Sequence, residues 1–61
     1  MNMDMDMDMA IEAMRKKIDG LKAKGKSFDY IASNIAGMIS AFRLCGIKIP
    51  VEVHESLIDE I

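Results

Sequence analysis

Hydrophobic residues along the chain recur at alternating steps of three and four residues, in two successive segments. The first run consists of Met7, Ile11, Met14, Ile18 and Leu21. The second run consists of Phe28, Ile31, Ile35, Met38, Phe42 and Cys45. Because residues three and four apart lie on one face of an α-helix, each run predicts a helix with a narrow apolar seam.

Capping residues divide the chain into three predicted helices. Gly25 and Gly46 are placed to end helices in a left-handed cap, and Ser27 offers a hydroxyl that can cap the next helix. Pro50 suits the start of a last, short helix. We therefore expect an all-α fold, a helical hairpin plus a short third helix, forming a single domain over residues 8–61. The expected helices are about 8–24, 27–45 and 51–60.

The first nine residues alternate methionine with asparagine or aspartate. A period of two is typical of a strand, but aspartate is a poor strand former. A disordered acidic tail, a short strand and the first turns of a helix are the three alternatives. We treat residues 1–7 as an acidic N-terminal segment, expect a tail over 1–5, and expect the helix to begin between Asp6 and Ala10.

The second helix is predicted to be apolar around most of its circumference. One chain of 61 residues has little else with which to cover such a helix. A single cysteine and a single histidine provide neither an intrachain disulfide nor a zinc site to stabilise so small a domain. The sequence therefore predicts a homo-oligomeric helical bundle, with a dimer expected. The predicted interface residues are Phe28, Ile31, Ile35, Met38, Ile39 and Phe42.

The charges are segregated, although the net charge is only −2. Six of the eight basic residues lie between positions 15 and 26, and acidic residues prevail on both sides. We call these six the basic band: Arg15, Lys16, Lys17, Lys22, Lys24 and Lys26. Such a band predicts a binding site for an anion or an acidic partner. The alternative is a solvated helix face that pairs with acidic residues of its own chain or of a neighbouring subunit.

Few residues suggest catalysis, and the sequence predicts no enzyme, no cofactor and no metal site. His54 and Glu55 are adjacent, so on a helix their side chains point apart. The alternating Asp4, Asp6 and Asp8 lack the glycine and the distal glutamate of a calcium loop. Cys45 is expected to be buried as a small hydrophobic residue, and the methionines on the seams are expected to fill the core.

The sequence predicts a cytoplasmic protein. No basic region followed by a continuous apolar stretch, as in a signal peptide, opens the chain. The most apolar window, residues 30–42, is shorter than the roughly 20 residues that a membrane-spanning helix needs. A lone cysteine favours a reducing compartment, because small secreted domains usually carry paired cysteines.

For function, we expect a small non-catalytic interaction protein that regulates or inhibits a larger macromolecule, with a host protein as target. Its size and composition resemble those of phage-encoded inhibitors of host enzymes or defence systems. The alternative is a small dimeric DNA-binding transcriptional regulator that uses the basic band. A third possibility is sequestration of a nucleotide or another anion between subunits, at Lys22, Lys24, Lys26 and Tyr30. The sequence does not choose between the basic band and the acidic termini as the contact surface.

The order of the segments in this chain is similar to that of one family of DNA-binding regulators. An alternating segment, a helix, Gly25-Lys26-Ser27 and a second helix follow each other as in the ribbon-helix-helix family, whose members are small dimers. The likeness implies that residues 3–9 form a strand on DNA. Asp4, Asp6 and Asp8 depart from it, because they would repel phosphate.

Overall fold

The computed structural model describes residues 3–61, with side chains from Met7 onward, as three helices. Helix α1 spans Met3–Ala23, α2 spans Phe28–Leu44 and α3 spans Val51–Asp59. The predicted all-α class is confirmed. The predicted bounds of α2 and α3 and the predicted end of α1 are correct to within one residue.

Helix α1 begins at Met3, about five residues before the predicted start. Residues 3–7 are therefore helical, and the predictions of a tail or a strand are wrong there; residues 1 and 2 lie outside the described part. Methionine is a good helix former, and acidic residues are favoured near the positive end of a helix. A helix in this segment also removes the strand that the ribbon-helix-helix comparison requires.

Helices α1 and α2 end in the same kind of glycine cap, as predicted. Gly25 has a φ of 74° and Gly46 a φ of 92°, both in the left-handed region. After α1, the amide of Gly25 donates to the carbonyl of Lys22, and the amide of Lys26 donates to the carbonyl of Leu21, both at 3.0 Å. This pair of bonds satisfies carbonyl groups that a helix end otherwise leaves free.

The starts of α2 and α3 also follow from local chemistry. The hydroxyl of Ser27 accepts a hydrogen bond from the amide of Tyr30 at 3.2 Å, which confirms the predicted cap. Pro50 is the capping residue of α3, and the helix begins one residue later at Val51. Residues 24–27 connect α1 to α2, and residues 45–50 connect α2 to α3. Because the first connection is short, α1 and α2 are antiparallel neighbours.

One apolar core lies between the three helices. Its buried residues are Ala10, Met14, Ile18, Leu21, Ile31, Ile35, Ile39, Ile49 and Leu57. Met14 is completely buried, and Met7 and Met38 pack partly buried against this core, so the predicted core role of the methionines is confirmed. No helix of residues 3–61 has the length and the apolar composition required to cross a membrane.

Candidate interaction surfaces

The predicted oligomer interface lies largely within the core of a single chain. Ile31, Ile35 and Ile39 are at most 2% exposed, because α1 and α3 cover this seam of α2. In this packing, these three residues offer no area to a second copy. The other three predicted interface residues are half-buried or exposed: Met38, Phe42 and Phe28.

The basic band is divided between two sides of α1. Because each residue turns the helix by about 100°, side chains two residues apart point about 160° away from each other. On one side, Arg15 forms an ion pair with the Glu60 carboxylate at 3.2 Å, and Lys22 donates to the Glu60 backbone carbonyl at 3.1 Å. Lys17 and Lys24 lie on the other side of the helix, away from α3.

Two more members of the basic band also contact their own chain. The ammonium of Lys16 lies 3.6 Å from the Glu12 carboxylate, one turn earlier on α1. The ammonium of Lys26 lies 5.2 Å from the centre of the Tyr30 ring, within the range of a cation–π interaction. Lys22, Lys24, Lys26 and Tyr30 were predicted to hold an anion, and two of these lysines thus have intrachain partners.

An open apolar groove of about 310 Å³ lies between α1 and the end of α2. We call it the α1–α2 groove, and its lining residues are Met9, Ala10, Ala13, Phe42 and Ile47. Met9 is 64% exposed at its edge. This groove is not evident from the sequence, because Met9 and Ala13 lie off the predicted seam and Ile47 lies in a connection.

The cap at the end of α2 positions one wall of this groove. The amide of Gly46 donates to the carbonyl of Arg43 at 3.0 Å, and the amide of Ile47 donates to the carbonyl of Phe42 at 2.9 Å. The Arg43 guanidinium donates to the carbonyl of Ile49 at 2.9 Å and fixes the following connection. Ile47 is therefore held beside Phe42.

The α1–α2 groove and the two remaining lysines share one side of α1. Met9, Ala13 and Lys17 follow each other at intervals of four, and Lys24 comes two turns after Lys17, so all four lie along one flank. Among the described residues, neither lysine has an ion pair or hydrogen bond with another side chain. This flank is apolar toward the N-terminus and cationic toward the C-terminus.

A second groove, of about 330 Å³, lies along α3 and is lined by His54, Glu55, Ile58 and Asp59. His54 is half-exposed on α3. The groove is open to solvent. Over residues 7–61, whose side chains the structure describes, no three histidine, cysteine, aspartate or glutamate side chains are grouped as metal ligands would be.

Cys45 is exposed, so the prediction of a buried thiol is wrong. It is the C-terminal capping residue of α2. The last fully buried residue of this helix is Ile39, and the chain turns away at Gly46. The seam therefore ends before it reaches Cys45.

No protein-family model, curated protein or solved structure matches this chain.

Proposed function

We propose that this protein is a small non-catalytic interaction protein, which regulates or inhibits a larger protein by binding it along the flank of α1. The observation that carries the proposal is the continuity of the α1–α2 groove with Lys17 and Lys24 on one side of that helix. An apolar groove can bury an apolar side chain of a partner, and nearby cations add selectivity for an acidic partner.

The chemistry of this flank specifies the kind of partner. A large apolar side chain of the partner would fill the groove between Met9 and Phe42. Acidic side chains would meet the lysines, which lie about 12 Å and 22 Å from Met9 along α1, given a rise of about 1.5 Å per residue. We therefore propose an acidic amphipathic segment of a host protein as the target.

The charge distribution favours a protein partner over DNA. Proteins that bind duplex DNA tightly neutralise roughly six to ten phosphates with cationic side chains. Here Arg15, Lys16 and Lys22 contact acidic residues or carbonyls of their own chain. On the proposed flank, Lys17 and Lys24 form too small a cationic surface for that role.

Quantitative affinity capture from a host lysate tests the proposal. The bait proteins are the wild type, Ala13→Glu in the groove, and Lys17→Glu/Lys24→Glu on its flank. The matched control is Arg15→Glu/Lys22→Glu, which makes the same change in charge on the opposite side of α1. Circular dichroism verifies that each variant is folded.

We expect a host protein to be captured by the wild type and the control, and to be lost with both flank variants. Equal capture by all four baits would contradict the proposed surface. Retention on duplex DNA that falls with rising salt and is lost with Lys17→Glu/Lys24→Glu would instead support the DNA-binding regulator.

A further inference from the structure

Helix α2 has a second face, opposite its buried isoleucines, that no other helix covers within the described part of the structure. We call it the outer face, and its exposed residues are Tyr30, Ser33, Gly37, Ser40, Ala41 and Leu44. No charged residue occurs from Tyr30 to Phe42. Leu44 is 90% exposed at one end and Tyr30 48% exposed at the other. The middle consists of small residues, with open space around Gly37.

Two opposite charges border the outer face. Asp29 and Arg43 lie at opposite ends of α2. They are fourteen residues apart, nearly four full helical turns, so both lie along the same edge of the face. The edge is therefore negative at one end and positive at the other.

We infer that the outer face binds a second copy of this chain, packed antiparallel about a two-fold axis near Gly37. This axis places Ser33 opposite the partner's Ser40. Asp29 then lies beside the partner's Arg43, and the same pair recurs at the other end. In a parallel pair, the two copies of Asp29 would lie at the same height along the helices, and so would the two copies of Arg43. Each charge would then be nearest to a like charge, so the charges favour the antiparallel arrangement.

The shape of the outer face fits this arrangement. The small residues at its centre allow two helix axes to approach to about 8 Å, the close end of the range for packed helices. The side chains of Tyr30 and Leu44 then cover the two ends of the contact and become buried from solvent. Phe42, in the wall of the α1–α2 groove, lies on the core side of α2. The dimer therefore leaves the α1–α2 groove open, and its existence does not depend on the proposed function.

The size of the outer face limits its affinity. From Tyr30 to Leu44 it is about 21 Å long and about 10–12 Å wide. A stable protein interface buries roughly 800 Å² on each partner, more than such a strip can supply. We expect a dissociation constant between about 10 µM and 1 mM.

Cysteine cross-linking tests the orientation of the two copies. In a Cys45→Ser background, Ser33→Cys and Ser40→Cys proteins are mixed and oxidised. We expect mixed disulfides between positions 33 and 40, because in this arrangement two copies of position 33 are about 10 Å apart along the axis, beyond disulfide reach. The control mixes Ser33→Cys with Ser56→Cys, an exposed serine of α3. A predominance of same-position disulfides, or no excess over the control, would overturn the inference.

Sedimentation equilibrium at concentrations up to about 1 mM tests the association itself. We expect a concentration-dependent dimer for the wild type, a monomer for Gly37→Glu, and a dimer for Gly20→Glu, which adds the same charge at an exposed glycine of α1. Asp29→Arg should weaken the dimer, and adding Arg43→Asp should restore it; circular dichroism verifies that the double variant stays folded without the hydrogen bond from Arg43 to the Ile49 carbonyl. A folded, monomeric wild type at the highest concentration, or equal behaviour of the two glycine variants, would overturn the inference.

Discussion

The amide of Ile47 donates a hydrogen bond to the carbonyl of Phe42 at 2.9 Å, across Gly46 in the left-handed conformation. Both side chains line the α1–α2 groove. An apolar contact between the residues joined by this bond commonly accompanies such a helix cap. The shape of the groove therefore depends on the backbone conformation of one glycine.

Gly46→Ala is expected to lower the free energy of unfolding by about 1–2 kcal/mol, because a left-handed conformation is costly for residues with a Cβ atom. Urea unfolding followed by circular dichroism measures the change. Gly20→Ala is the control: Gly20 lies inside α1, with no heavy atom within 4 Å of the added Cβ. It should raise the free energy of unfolding by about 0.5–1 kcal/mol. Changes of the same sign would contradict this prediction.

Ile35→Ala is expected to leave the protein largely unfolded at room temperature. Ile35 is completely buried, and such a substitution costs about 2–5 kcal/mol. That loss is comparable to the roughly 3–5 kcal/mol that a core of this size provides. Leu44→Ala, at a position that is 90% exposed, should change stability by no more than about 0.5 kcal/mol. Thermal unfolding at low protein concentration compares the two, and a native-like Ile35→Ala variant would refute the assigned core.

Glu60→Gln is expected to lower stability by no more than about 1 kcal/mol. The side chains of the Arg15–Glu60 pair are 56% and 41% exposed, so water and salt screen their attraction. Lys22 donates to the backbone carbonyl of Glu60, which the substitution keeps. Unfolding measured at low and high salt should show the loss shrinking as salt rises. A large loss that does not respond to salt would mean that the pair is more shielded than the structure shows.

Cys45 should react with a thiol reagent in the native protein about as readily as in the unfolded chain. Its exposure at the end of α2 leaves the sulfur open to solvent. The reaction is followed by absorbance with and without urea, at protein concentrations low enough to keep the chain monomeric. Strong protection that disappears in urea would show that the thiol is covered.

Local signals account for the parts of the fold that sequence predicted correctly. The caps at Ser27, Gly25 and Gly46 involve only residues within a few positions of each other, so their chemistry is readable from sequence. The start of α1 was predicted incorrectly because the alternation of methionine and aspartate suggested an extended segment. A period-two pattern needs a neighbouring strand to stabilise it, and helix propensity prevails where there is none.

The candidate site was predictable only in part. The basic band was visible as a group, but its division between Arg15 and Lys17 depends on where α3 packs against α1. The α1–α2 groove brings Ala13 to Ile47, more than thirty residues later, and no local pattern specifies such a contact. The prediction of the oligomer interface did not allow for α3 as a cover for α2. Leu57 of α3 is buried in the core that covers the seam of α2.

The brevity of the two connections, residues 24–27 and 45–50, affects how fast the native state forms. When each helix packs on one that is near in sequence, little chain entropy is lost before favourable contacts appear. Helical domains with such local topology fold in microseconds to milliseconds, orders of magnitude faster than sheet proteins of similar stability. A newly made chain would therefore keep its isoleucines in water only briefly, which reduces the time available for aggregation or proteolysis.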